Sequence, residues 1–317
     1  MKKMLFSASL LMLLFSCAEN ETVEADLASN EMAHRGCASH DVLLSKLSED
    51  PKLAIKMNEI ESFTQEVLRE GRLVNGNIEI PVVVNVLYKT AAENISLAQI
   101  QSQIDVLNAD FNGTNADFNN VPSLFSGVKA NVGITFVLDA VVRKSTNKSS
   151  WRTDDSMKKS NRGGINPTSP TTKLNLWVCN LSGGILGYAQ FPGGPSATDG
   201  VVIDNNAMGT TGSATAPFNL GRTATHEVGH WMNLRHIWGD ASCGSDLVSD
   251  TPTHNTANYG CPSFPHYSTC SGSPVEMTMN YMDYTNDSCM YMFSNGQKSR
   301  MLAIFAAGGA RNSFAQP

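Results

Sequence analysis

The segment Thr225-His226-Glu227-Val228-Gly229-His230-Trp231-Met232-Asn233-Leu234-Arg235-His236 holds the residues of this chain best suited to metal chemistry. On an α-helix, side chains four apart lie one above the other, so His226 and His230 can each turn a ring nitrogen toward one ion. Glu227 follows the first of them, and from there a carboxylate reaches a water on the ion without being a ligand itself. His236 can serve as third ligand only if the helix stops and the chain doubles back. Asn233 stands at that turn, and Asn is among the few residues besides Gly that accept left-handed backbone.

Three neutral imidazoles leave a Zn2+ ion one open position for water, whose pKa falls to about 7 on coordination. The expected chemistry is hydrolysis of a peptide carbonyl, with Glu227 taking the water's proton and passing it to the leaving amine. A purely structural zinc site would be closed by a fourth protein ligand and would have no use for Glu227. That separates this reading from a surface lipoprotein with a binding or adhesive role. A third ligand at Glu276 is the other alternative, but Pro274-Val275-Glu276-Met277 has little helical character.

The elements that must position these groups are legible upstream. Leu53, Met57, Ile60, Phe63 and Val67 recur at helical spacing within Lys52 to Arg69. A β-patterned run from Ile78 to Leu87 follows, so Arg69-Glu70-Gly71-Arg72 reads as a processing joint, with a boundary near Arg72. Ser96 and Gln99 form a capping-box signature before an amphipathic helix (Leu97, Ile100, Ile104, Leu107, Phe111) that Gly113 stops. Strands are expected at Val132 to Val142, Leu174 to Cys179, around Leu186 to Phe191, and at Val201 to Asp204. The polar stretch from Lys144 to Thr172 reads as a surface loop, and the chain beyond Asn205 as a helix followed by irregular segments. The class is α+β: a mixed twisted sheet, a backing helix, an active-site helix and an irregular lower part.

At the start, Lys2 and Lys3 precede an apolar run from Met4 to Phe15, too short for a permanent membrane span. It ends in Leu14-Phe15-Ser16-Cys17, a lipobox-like sequence in which Cys17 would be lipidated, giving a possible lipid anchor in a bacterial envelope or, failing that, a secreted product. The organisation expected is a signal peptide over 1–17, a prosegment over 18–72, tether-like to about residue 40, and a catalytic domain over 73–317. With a net charge of -6 and no basic run beyond Lys3, nucleic acid is excluded as a partner. Of seven cysteines, Cys243, Cys261, Cys270 and Cys289 cluster, and in an exported chain they suggest two disulfides with three pairings open. Cys179, in an apolar strand, reads as a small buried hydrophobe.

At these residues the sequence resembles a metzincin, and within that group the pappalysin family. The resemblance is carried by Ile80-Pro81-Val82-Val83-Val84, Leu174 to Cys179, Gly187-Tyr188-Ala189-Gln190-Phe191-Pro192, the zinc motif running into Ile237-Trp238-Gly239-Asp240, Asp250-Thr251-Pro252, and Asn280-Tyr281-Met282-Asp283-Tyr284. It departs from the metzincin pattern at Asn233, where Gly is usual. It implies a methionine turn at Met282 beneath the zinc, and a Tyr284 hydroxyl near the metal that donates to the oxyanion. It further implies that Cys37, in Arg35-Gly36-Cys37, ligates the zinc of a latent form, making the prosegment an inhibitor. By the same resemblance Cys243 pairs with Cys270 and Cys261 with Cys289, Ca2+ binds near Asp246, Asp250 and Thr251, and Asp287 favours Arg or Lys at the first primed position of a protein or peptide substrate, unless an offset of one residue puts Ser288 in that place.

Overall fold

The computed structural model describes residues 34–73 and 76–315. The leader with Cys17 lies outside them.

Two helices open the described chain. Helix α1 (Ser39–Glu49) ends at Asp50, whose carboxylate then accepts the Lys52 amide at 3.0 Å and so caps α2 (Pro51–Glu70). Proline at the first position of α2 loses no hydrogen bond there, and Gly71 ends the helix in left-handed backbone at φ +67°. The tether reading therefore stops short: residues 34–38 lie against the rest of the molecule, and α1 begins at Ser39. Among the described residues, no helix is long and apolar enough to cross a membrane.

Strands β1 (Ile78–Tyr88), β2 (Ile134–Ser145), β3 (Leu174–Cys179), β4 (Gly187–Ala189) and β5 (Val201–Asp204) form one mixed sheet in the order β2-β1-β3-β5-β4. Neighbours are parallel except β4, which runs antiparallel along β5 at one edge. Alternation sorts the side chains. Val82, Val84, Leu174, Leu176, Val178, Val201 and Ile203 join a main core with Ile100, Ile104, Leu107 and Phe111 of α3 (Leu97–Phe111). Trp177, Cys179, Tyr188 and Val202 face the other way, into a second core.

That second core corrects the loop reading of 144–172. Trp151, Met157 and Ile165 from this segment cover the sheet, with Ala38 and Val42 from the N-terminal region. A sheet buried on both faces needs such a cover, and irregular backbone supplies it here. The Ser96 signature is also only half realised: Ser96 Oγ accepts the Gln99 amide, while the Gln99 side chain donates instead to the Met208 carbonyl and Ser213 Oγ.

Below the sheet, α4 (Arg222–Trp231) carries the histidine motif. The irregular part is pinned by disulfides Cys243–Cys270 and Cys261–Cys289, with Cα separations of 5.7 and 5.6 Å, and ends in α5 (Asn295–Ala303), which carries a full capping box from Ser294 and Gln297. Helix α2 packs on α5, with Val67 against Ala303 and Ala306.

Candidate active site

Helix α4 stops where the histidine spacing requires. Asn233 takes φ +73°, its amide donates to the His230 carbonyl at 2.9 Å, and the Leu234 amide reaches Gly229 at 3.0 Å. The chain then returns with His236 facing the helix. The Arg300 Nε of α5 donates to the Asn233 carbonyl at 2.8 Å and fixes the turn from outside.

Each histidine has its Nδ1 against an acceptor: the Tyr281 carbonyl for His226 at 2.7 Å, the Leu234 carbonyl for His230 at 2.8 Å, and Asp240 Oδ1 for His236. Those acceptors put the protons on Nδ1, so all three Nε2 atoms present lone pairs. Yet the Nε2 atoms sit 3.1 Å (His226 to His230) and 3.0 Å (His230 to His236) apart. Three lone pairs converging at that distance repel unless a cation lies among them. Burial, with the neighbouring rings, pushes the His226 and His230 pKa values well below the ordinary histidine range and keeps both imidazoles neutral, the ligand form. The donor set fits zinc.

Cys37 completes the set, since its Sγ and the three histidine nitrogens all lie within 4.8 Å of one another. Residues 36–38 run along the free edge of β4, with Leu186 N donating to the Gly36 carbonyl at 2.7 Å and Ala38 N to the Gly187 carbonyl at 3.0 Å. Glu276 is not in the group; it accepts from the Asn255 amide and from Asn258 Nδ2, which removes it as a third ligand.

Glu227 is wholly enclosed. Ser39 Oγ donates to its Oε2 at 2.7 Å and Cys37 Sγ approaches the same oxygen at 3.5 Å. Burial lifts its pKa to about 7, against the opposing pull of Ser39, Cys37 and Arg35. Burial, with the Glu227 charge beside it, also pushes the Cys37 thiol well above its ordinary value, and a zinc ion is the kind of neighbour that reverses this.

Met282 lies beneath the ligands. A Cβ added at Gly229 of α4 would meet the Met282 sulfur at 2.5 Å, so a glycine is needed for this approach. The Tyr284 ring stands edge-on to His236, 4.9 Å between centroids, and its hydroxyl donates to the Cys37 carbonyl at 3.2 Å. Trp238 stacks on His236 at 4.3 Å.

Asp287 is buried to one side of Cys37, where Arg35 Nη2 donates to its Oδ1 at 2.5 Å and the Leu220 and Arg222 amides donate to its Oδ2. Arg35 also reaches Thr223 Oγ1 at 2.9 Å and the Thr285 carbonyl at 3.2 Å. Ser288 instead lies by the sulfurs of Cys261 and Cys289. In the loop read for Ca2+, Thr251 Oγ1 donates to the Asp246 carboxylate, while Asp250 turns to Ser294 Oγ and the Gly296 amide of α5. Sequence reasoning missed Ser39 and passed over Asp240 as a partner of His236. For Asp240 a signal existed: an acid four residues past a ligand.

A protein-family model described as pregnancy-associated plasma protein-A, peptidase family M43, matches residues 170–306. An extracellular metalloprotease 1 of Coccidioides posadasii is 34% identical over 241 residues, covering 72% of this chain and 77% of that protein. An extracellular metalloprotease of Arthroderma benhamiae is 32% identical, covering 92% of this chain and 91% of its own. Among solved structures, mature mirolysin of Tannerella forsythia in complex with a cleaved peptide is 46% identical with a TM-score of 0.74, over 76% of this chain and 97% of that one. A promirolysin mutant from the same organism is 40% identical with a TM-score of 0.81, over 89% and 97%. With relatives this similar over this much of their length, and with three histidines converging as a metal requires, the chain belongs to the pappalysin metalloproteases and is a zinc metalloendopeptidase.

Proposed function

We propose that the described chain is the latent form of an exported endopeptidase whose N-terminal region, ending near Arg72, blocks its own cleft. The observation that carries this reading is the placement of Cys37 on the three histidines, with Arg35 on Asp287 and Ser39 on Glu227. Together these contacts occupy the metal's remaining position, a side-chain pocket and the base. Export is supported by the basic and apolar start of the chain and by relatives named as extracellular. Lipidation at Cys17 rests on the sequence alone. A Ca2+ ion is left out of the proposal, because Asp246 and Asp250 turn to separate protein donors.

His226, His230 and His236 would hold the zinc, with Cys37 as fourth ligand until the prosegment leaves. When bound, the ion supplies Lewis-acid polarisation and an acidified water. Glu227, freed from Ser39, accepts the proton of the attacking water and returns it to the leaving amine. The Tyr284 hydroxyl, released from the Cys37 carbonyl, turns to the substrate carbonyl oxygen as charge builds there. Asp287 receives an Arg or Lys side chain at the first primed position, in the place Arg35 holds.

Replacing Glu227 by Gln tests the mechanism. After removal of the N-terminal region, kcat on a quenched fluorescent peptide should fall about 10²- to 10⁴-fold with zinc content unchanged. Retained activity would remove Glu227 from the base role.

A further inference from the structure

Arg35 is not the only basic side chain that the N-terminal region delivers to a buried acid. On the other side of Cys37 in the chain, Lys46 of α1 reaches Asp155, Nζ to Oδ2 at 2.6 Å, with Asp155 6% exposed and Lys46 20%. The two oxygens of Asp155 have different company. Oδ1 accepts from Lys158 at 2.9 Å and from the Tyr188 hydroxyl at 3.0 Å, both belonging to the body that would remain after activation. Among the described residues, the only partner of Oδ2 is Lys46. The same ammonium also donates to Gln190 Oε1 at 3.2 Å, just past the end of β4.

Asp155 is held firmly for its task. It sits in left-handed backbone at φ +58°, a conformation that Asp accepts more readily than most side chains. Lys158 beside it is wholly buried, donates to the Thr198 carbonyl at 2.8 Å, and lies over the rings of Trp177 and Tyr188. Between the N-terminal helices and the body lies a crevice whose body-side wall includes Arg152, Asp155, Gly193 and Thr198, while Lys46 and Leu53 belong to the side that would leave. Residues 36–38 run along β4 and Lys46 meets Gln190 just past its end, so loss of α1 would uncover Oδ2 next to that strand end, free to take another cation in place of Lys46.

We propose that Asp155, with Gln190, forms a second specificity pocket on the unprimed side of the cleft, taking a Lys or Arg side chain of the substrate where the latent chain places Lys46. This rests on the reading of residues before Arg72 as a cleaved prosegment, and of Asp287 as the first primed pocket. The mature enzyme would then be selective for substrates with basic residues on both sides of the cleaved bond.

The test uses the full chain activated by limited proteolysis and a peptide series with Arg fixed after the cleaved bond. Lys, norleucine or Glu is moved through the unprimed positions. One position should favour Lys over norleucine by about tenfold in kcat/KM, and D155N should erase that preference while D155E keeps much of it. Equal rates for Lys and norleucine at every unprimed position in the wild type would overturn the proposal alone, whether or not D155N folds. A preference that survives in D155N would overturn it too. If the activated enzyme cleaved no peptide at all, the endopeptidase reading would fall and take this pocket with it.

Discussion

The candidate catalytic residues of this chain depend on second residues, near and far in sequence, that orient or cover them. The His236 ring has a fixed orientation because Asp240 accepts from its Nδ1, and Asp240 in turn meets His40 of α1 at 3.2 Å. Removing that acceptor with D240A should weaken zinc binding about 10- to 100-fold, read by competition with a chelator, while leaving the fold intact. Cys37 and Arg35 act from the other side. The uncut C37A chain should show peptidase activity that the uncut wild type lacks, and R35A should leak less, because it frees the Asp287 pocket and leaves the thiol in place. Equal silence of both variants in a fluorescent peptide assay would mean that latency resides elsewhere. The histidines and Glu227 stand out in the sequence because a short motif carries them, and Met282 only through the family resemblance of Asn280 to Tyr284. Ser39 and Arg35 were not legible as partners, since they meet Glu227 and Asp287 only across 188 and 252 positions of chain.

Among the elements, legibility followed periodicity. Strands β3 and β5 were read at their observed bounds, and α2, β1 and α3 close to theirs, because each presents a continuous apolar run or face to a core. Helices α1 and α5 were missed for a physical reason. Helix α1 buries only Ser39 and Val42 along its length, and α5 keeps its apolar residues at its last turn. The 144–172 segment was read as surface because Trp151, Asp155, Met157 and Lys158 are buried without any period, each held by a distant partner. The contact of α1 with this segment is pH-sensitive. Burial works against the Asp155 charge, but Lys158 and Lys46 outweigh it and hold the pKa at about 2, below the roughly 3.9 of an unfolded aspartate. A depressed carboxylate stabilises above its unfolded pKa and loses that contribution as pH falls through the folded one. The stability of the uncut chain should therefore fall between about pH 4 and pH 2, less steeply in K46M than in wild type, as followed by thermal unfolding.

Across the whole molecule, the N-terminal region is held by three separate kinds of contact: thiol on the metal ligands, buried ion pairs at Asp287 and Asp155, and α2 on α5. In the last, Glu61 makes a two-point contact with Arg300, Oε2 to Nη2 at 2.5 Å and Oε1 to Nη1 at 3.0 Å. Because Arg300 also fixes the Asn233 turn, the N-terminal region is linked to the histidine motif through Arg300. A cut near Arg72 would break none of these contacts directly, so the freed N-terminal fragment should remain bound and inhibitory until diluted or degraded. E61Q should shorten its residence, measured as the lag before activity appears after cleavage. The central claim is that the three histidines hold a catalytic zinc masked by residues before Arg72. The direct measurement is peptide hydrolysis by the full-length chain before and after cleavage near Arg72, with zinc content determined on the same samples and a chelator added at the end. The account predicts one zinc per chain throughout, no hydrolysis before the cut, hydrolysis once the fragment has gone, and its loss on chelation with recovery on adding zinc. Hydrolysis that persisted after the zinc was stripped, or a freed enzyme that held zinc and cleaved nothing, would contradict it.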